Sequence, residues 1–296
     1  MHLSIANRQA VKMKMALQGS AGSGKTMGAL LLSFGLCGDW SKIAVIDTEN
    51  HSSELYAHLG GFNVLHLEAP FTPERFIEAI DTCIKAKMEV IVLDSLSMEW
   101  EGRGGVLEIH GNMTGNSYTN WNKVTPRHNA FVQKMLQCPA HIIGTIRAKQ
   151  DYVLTDKNGK QVPEKVGLKG ITREGLDYEF TLVLEMDIKQ NAVATKDRTS
   201  LFMGKPEFTI SIETGIMIKD WCNQSTFPIR IPTNEEIITR VNGCKSIDEL
   251  LSLYDLHPDK QETLAPEFTK KKQELILTNS NSQQPNHLNN GITTTQ

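Results

Sequence analysis

Gly19-Ser20-Ala21-Gly22-Ser23-Gly24-Lys25-Thr26 satisfies every fixed position of the pattern G-x-x-x-x-G-K-[ST]. A mostly apolar run, Met13 to Leu17, precedes it, and a helical run, Met27 to Cys37, follows. Strand, turn and helix therefore fall in the order a phosphate cradle needs. The glycines let successive backbone N–H groups turn inward around phosphates. A helix beginning near Gly24 adds the positive end of its dipole. Lys25 brings a point charge to the phosphates, and Thr26 a hydroxyl to Mg2+. All eight residues, Gly19 to Thr26, are read as a site for a nucleoside triphosphate with Mg2+.

Two further strands end in acids. EVIVLDS, Glu89 to Ser95, is an apolar run closing on Asp94, as a buried parallel strand delivering a carboxylate at its C-terminal end reads. An acid there can hold the Mg2+ shell opposite Thr26. Between the two motifs, Ile43 to Ile46 leads into Asp47-Thr48-Glu49. A carboxylate beside the γ-phosphate can polarise water for in-line attack, which makes Glu49 a candidate base. The competing reading is a solvated neighbour of a helix start, since Asn50, Ser52 and Ser53 also suit one.

Strand and helix patterns alternate from there. Strands are expected near 13–17, 43–46, 63–67, 90–93 and 141–146, and helices at 26–37, 53–59, 73–87 and 126–136, with Pro73 and Pro126 in first turns. Such alternation predicts an α/β fold, a mainly parallel sheet flanked by helices, with ligands beyond the strands' C-terminal ends. YEFTLVLEMDI (178–188), NAVATK and TSLF read as extended segments widening the sheet.

Two long interruptions stand out. Ser95 to about Lys123 holds five glycines with Trp100, Tyr118 and Trp121; Ala148 to about Asp177 holds a hairpin pattern turning at Lys157-Asn158-Gly159. From Arg147 to Arg173 the bases Arg147, Lys149, Lys157, Lys160, Lys165, Lys169 and Arg173 face three acids, a net +4 on a chain of net −3. A basic loop on an acidic body suits a nucleic-acid backbone, and Trp121, Tyr118 and Tyr152 offer faces for unpaired bases. A solvated hairpin with loop-anchoring aromatics is the plainer alternative. Lys196 and Arg198, alternating in ATKDRTSLF, point to one face of an extended segment.

GSAGSGKT, AVIDTE, VIVLDS, HIIGTIRAK and ATKDRT, in that order across about residues 13 to 222, resemble the RecA/RadA recombinase core. The resemblance is closest to phage-encoded, reduced RecA-like ATPases linked to single-strand annealing. It implies a RecA-like P-loop fold, ATP hydrolysis, and single-stranded DNA held by the loops after two strands. It also implies a homo-oligomer, ring or filament, in which Lys196 and Arg198 reach the neighbour's γ-phosphate as trans-acting cations; the alternative is an edge strand protected by charge. A single-strand binding protein or an exonuclease is a further candidate partner. The family's γ-phosphate-sensing glutamine is replaced here by Thr145, whose hydroxyl is shorter and weakens the expected coupling of ATP to DNA. A small-molecule kinase and a nucleotide-gated annealing module with little turnover are the rival readings.

The rest bounds the answer. With 296 residues and 40% hydrophobic content, one α/β core (residues 1–222) plus a helical appendage (223–278) is expected, followed by a disordered polar tail (279–296) without Asp, Glu, Lys or Arg. Five scattered cysteines form no ligand grouping with the nine histidines, so reduced thiols are expected. No apolar leader or membrane-length run occurs, and the expected location is cytoplasm, that of a bacterial host if the chain is phage-encoded.

Overall fold

Runs such as IAVID and VIVLD have no polar face, and both faces of these strands are buried. In the computed structural model, which describes residues 8, 11–157, 160–224 and 232–281 (side chains of 150–167, 259 and 278–281 excepted), nine strands form one sheet. They are β1 (Lys14–Gly19), β2 (Ile43–Asp47), β3 (Asn63–His66), β4 (Val90–Asp94), β5 (His141–Lys157), β6 (Lys160–Gly170), β7 (Leu182–Met186), β8 (Asn191–Asp197) and β9 (Phe208–Thr209). The order is β3-β2-β4-β5-β1-β7-β8-β9, with β6 paired to β5. Pairings among β1 to β5 and β7 are parallel, while β6, β8 and β9 run antiparallel to their neighbours.

Two apolar layers result, because alternate side chains of a strand go to opposite faces. On one, Ile46, Leu93, Ile142 and Val183 pack with α2 (Pro73–Lys85) and α5 (Ser117–Leu136). On the other, Leu17, Val45, Val92 and Leu184 pack with α1 (Lys25–Cys37) and α6 (Ile212–Asn223). α2 shows how local sequence sets its own bounds. Thr72 caps the amide of Arg75, Pro73 opens the first turn, and Phe76, Ala79, Ile80 and Cys83 form the buried stripe.

Several expectations need correction. The first interruption is largely helical: α3 (Ser97–Glu101), α4 (Val106–Gly111) and then α5, which starts at Ser117 and not at Pro126. Asn116 caps it through the amides of Tyr118 and Thr119, and the buried stripe Asn120, Val124, His128, Phe131, Met135 continues through Pro126. Pro126 is tolerated inside because both it and Asn122, whose carbonyl loses its partner, are exposed. Residues 52–59 form a 3-10 helix, Leu176–Glu179 another, and TSLF is a bend gathered around the Asp197 carboxylate, which accepts from the amides of Thr199 and Phe202. The hairpin forms with Lys157 opposite Lys160; its tip, residues 158 and 159, lies outside the described residues.

The chain divides into two compact units, Met1–Thr226 and Phe227–Gln296. In the second, α7 (Asn234–Gly243), α8 (Ile247–Asp255) and α9 (Gln261–Asn281) share a core of Ile237, Val241, Leu250, Leu264 and Phe268. The first three residues of the expected polar tail continue α9; 282–296 lie outside the described residues. All five cysteines are free thiols, Cys83, Cys138 and Cys222 buried. No helix among the described residues is long and apolar enough to cross a membrane.

Candidate active site

β1 stops at Gly19 and the chain turns through five residues into α1. The turn depends on glycine at two places. A Cβ on Gly19 would lie 2.5 Å from Ser23 Oγ and 2.6 Å from the Met186 carbonyl oxygen. Gly24 caps α1 in a left-handed conformation, φ 83°. Lys25 folds back so that its Nζ donates to the Ser20 carbonyl at 2.7 Å. Burial lowers the Lys25 pKa, while Asp94 and Glu49 work to raise it.

Asp94, at the end of β4, is buried, and its two carboxylate oxygens accept from two threonines. Thr26 Oγ1 donates to Oδ2 at 2.7 Å, and Thr145 Oγ1 donates to Oδ1. Burial raises the Asp94 pKa and the two hydroxyls oppose it. Thr48 Oγ1 donates to the Asp94 carbonyl at 3.0 Å and accepts the Ser95 amide at 2.8 Å, which fixes the strand end.

These residues fit a magnesium–nucleotide complex. The hydroxyl of Thr26 and the carboxylate of Asp94 are hard oxygen donors of the kind Mg2+ takes. Within the cradle the Ser23 hydroxyl is buried without a hydrogen-bond partner. Bound Mg2+ would supply charge neutralisation at the phosphates. The adjoining cavity, about 630 Å³, is lined by Ala21, Gly22, Gly24, Lys25, Thr26, Glu49, Asp94 and Arg147 among others.

Glu49 lines that cavity and does not act as a helix cap. Asp47 does the capping: its carboxylate accepts the amides of Glu49 at 2.7 Å and Ser53 at 2.9 Å, and the Ser53 hydroxyl at 2.6 Å. The Glu49 carboxylate is left to turn inward, where Arg147 Nε donates to its Oε1 at 2.9 Å. The sequence places Arg147 with the basic loop; the structure places it at the nucleotide cavity. Its backbone pairs with Gly19 in the β1–β5 register, which puts its guanidinium at the level of the phosphate cradle.

Thr145 does not line the cavity; it is fully buried, and its hydroxyl is engaged by Asp94. Lys196 and Arg198 both reach the Tyr178 carbonyl, so they do share a face. Lys196 pairs with Val183, whereas Gly19 pairs with Met186 three residues further along β7. The pair thus sits toward the opposite end of the sheet from the cradle in its own chain. Lys149 and Lys169 are exposed cross-strand partners at the base of the hairpin. Lys157, Lys160 and Lys165 lie on its strands, their side chains outside the described residues. Arg173 is not on display: its guanidinium packs over Trp121 at 5.9 Å, and Nη1 is buried without a partner. Trp121 in turn stacks on Trp100 and His110, whereas Tyr118 is 83% exposed.

Sequence reasoning missed several cavity residues with polar side chains. Tyr56, Glu101 and Gln190 all line it, and Gln190 side-chain carbons would lie 3.3 Å from a Cβ on Gly24. Gln190 comes from the β7–β8 turn at φ 68°, and no motif marks it.

A phosphate cradle at the C-terminal edge of a mostly parallel sheet, with an acid from the second strand over, defines a P-loop nucleotide-binding ATPase domain. More particularly, the family described as AAA domain matches residues 11–209, and the chain belongs to that family. No curated protein matches the chain by sequence.

Proposed function

We propose that this ATPase domain is a RecA-like machine working on single-stranded DNA, in phage-type recombination or strand annealing in the cytoplasm. Thr26 and Asp94 hold Mg2+, Lys25 holds the phosphates, and Glu49 activates the attacking water. The observation that carries the reading is the continuity of β5. One strand touches Asp94 through Thr145 and Glu49 through Arg147, then runs on into the β5–β6 hairpin. The segment 147–173 has net charge +4. DNA on the hairpin displaces β5, withdraws Arg147 and frees Glu49. Assembly into a ring or filament lets Lys196 and Arg198 serve the neighbouring site, which suits their distance from their own cradle.

The test is steady-state ATP hydrolysis with and without single-stranded DNA, together with binding across a salt series. Turnover should rise with DNA. Neutralising Lys149, Lys157, Lys160, Lys165 and Lys169 should weaken binding and flatten log affinity against log salt by roughly 0.7 for each phosphate no longer neutralised. DNA-independent turnover with an unchanged slope removes the hairpin from any such role.

One observation favours a second reading, the nucleotide-gated annealing module with little turnover. Glu49 is engaged by Arg147 and Asp94 by both threonines. If Arg147 stays in place, ATP shapes an assembly without rapid hydrolysis.

A further inference from the structure

β3 ends at His66, which pairs with Asp47 at the end of β2. The chain leaving β2 turns back on itself: Asn50 and His51 adopt left-handed conformations, φ 52° and 63°. That turn brings the His51 ring over the His66 ring, centroids 3.7 Å apart. Glu54, in the first turn of the 3-10 helix, completes the group. Its Oε1 lies 3.1 Å from His66 Nε2 and 3.6 Å from His51 Nδ1.

We propose that His51, Glu54 and His66 form a binding site for one Zn2+-type transition-metal dication, separate from the Mg2+ residues Thr26 and Asp94. A tetrahedral ion with ligands at about 2.0–2.1 Å needs donor atoms about 3.4 Å apart. The two measured separations bracket that value, and all three donors lie within 4.8 Å of one another. To aim both nitrogens at one ion the overlapping rings must also swing apart, from 3.7 Å between centroids to about 5 Å at tetrahedral geometry, a movement open to exposed side chains. Two imidazoles and a carboxylate suit Zn2+, whereas Mg2+ and Ca2+ favour all-oxygen sets. All three side chains are open to solvent, so water can fill the fourth position. Bound there, the ion clips the turn that follows β2 to the end of β3. His51 lies two residues beyond Glu49, so the clip stiffens the segment carrying the proposed base. That consequence rests on the role given to Glu49, whereas metal binding itself does not.

The test uses the full chain without a histidine tag, stripped with a chelator and kept in millimolar Mg2+. Zn2+ is titrated by calorimetry, and Co2+ by visible absorption. One ion per chain should bind in the low micromolar range or tighter, with tetrahedral Co2+ bands and a Zn2+-dependent rise in Tm. Glu54→Gln and the pair His51→Ala/His66→Ala should each weaken binding by at least about tenfold and remove the rise in Tm. Exposed positions make both variants safe for folding, and far-ultraviolet dichroism checks it. Unchanged Zn2+ affinity in the double variant, or binding no tighter than about 100 micromolar in the parent chain, overturns the site.

Discussion

Arg147→Ala tests whether the arginine restrains Glu49 or serves the phosphates. The pair has one hydrogen bond at 2.9 Å, and its side chains are 42% and 30% exposed. Solvent screening limits such a contact to about 0.2–1 kcal/mol. By the relation of about 1.4 kcal/mol per tenfold, releasing it raises the population of free Glu49 by roughly 1.4- to 5-fold. Basal hydrolysis should climb by that factor, and stimulation by single-stranded DNA should shrink correspondingly. Nucleotide affinity should hold, because on this reading Arg147 is engaged by Glu49 and the phosphates rest on Lys25 and the cradle amides. Arg147→Lys keeps the charge without the fork and should fall between the two. The assay is steady-state ATP turnover at saturating nucleotide, with and without DNA. A fall of tenfold or more in kcat would refute the restraint and make Arg147 a phosphate-binding cation. Turnover and stimulation equal to the parent chain would mean that the ion pair is idle.

Glu49→Gln keeps the shape and removes the proton acceptor, so ATP should still bind while hydrolysis falls by about 10²-fold or more; normal turnover would deny Glu49 its role. Lys196→Ala/Arg198→Ala should bind ATP and lose most hydrolysis, and mixing it with Glu49→Gln should restore part of the activity if the cations act across a subunit boundary. No recovery, with activity independent of protein concentration, would leave them as charges on an edge. Burial holds the His141 pKa down to about 3, with Nδ1 accepting the Met13 amide at 3.1 Å, while an unfolded ring titrates near about 6.5. The unfolded state therefore binds the extra proton between those values, and stability should fall on acidification by about 1.4 kcal/mol per pH unit from this group. Denaturant melts at pH 7, 6 and 5 measure the slope, and a flat profile would contradict it.

The parts of the fold that were legible are those coded by near neighbours. GSAGSGKT, IAVID and VIVLD each carry their own turn chemistry or strand pattern, and they stand where expected. The first interruption misled because Gly102, Gly104, Gly105 and Gly111 read as loop, whereas two short helices fit among them. Pro126 misled because its position on the exposed face of α5 cannot be read from a proline alone. Arg147 belongs to a basic run, and local pattern groups it with its neighbours. What separates it is the pairing of Gly19 with Arg147 across 128 positions of sequence, a long-range register that no local pattern carries. Gln190 was invisible for the same reason, since it enters the cavity from a turn between two later strands.

That register also changes what the threonine at 145 implies. In the RecA-like cores that the sequence resembles, a glutamine at this place senses the γ-phosphate. The threonine is fully buried and spends its hydroxyl on Asp94. Two residues on, on the same face of the strand, Arg147 spans the remaining distance and meets Glu49. β5 therefore touches the site twice, at the acid suited to Mg2+ and at the acid suited to water. On the proposed reading a small shift of β5 loosens both contacts at once, so the short side chain at 145 does not uncouple the hairpin from the nucleotide. It moves the coupling from a single amide to a pair of contacts, of which the arginine can be removed without disturbing the buried one. The Arg147 variants thereby separate the two halves of the coupling, which no substitution at the buried Thr145 can do cleanly.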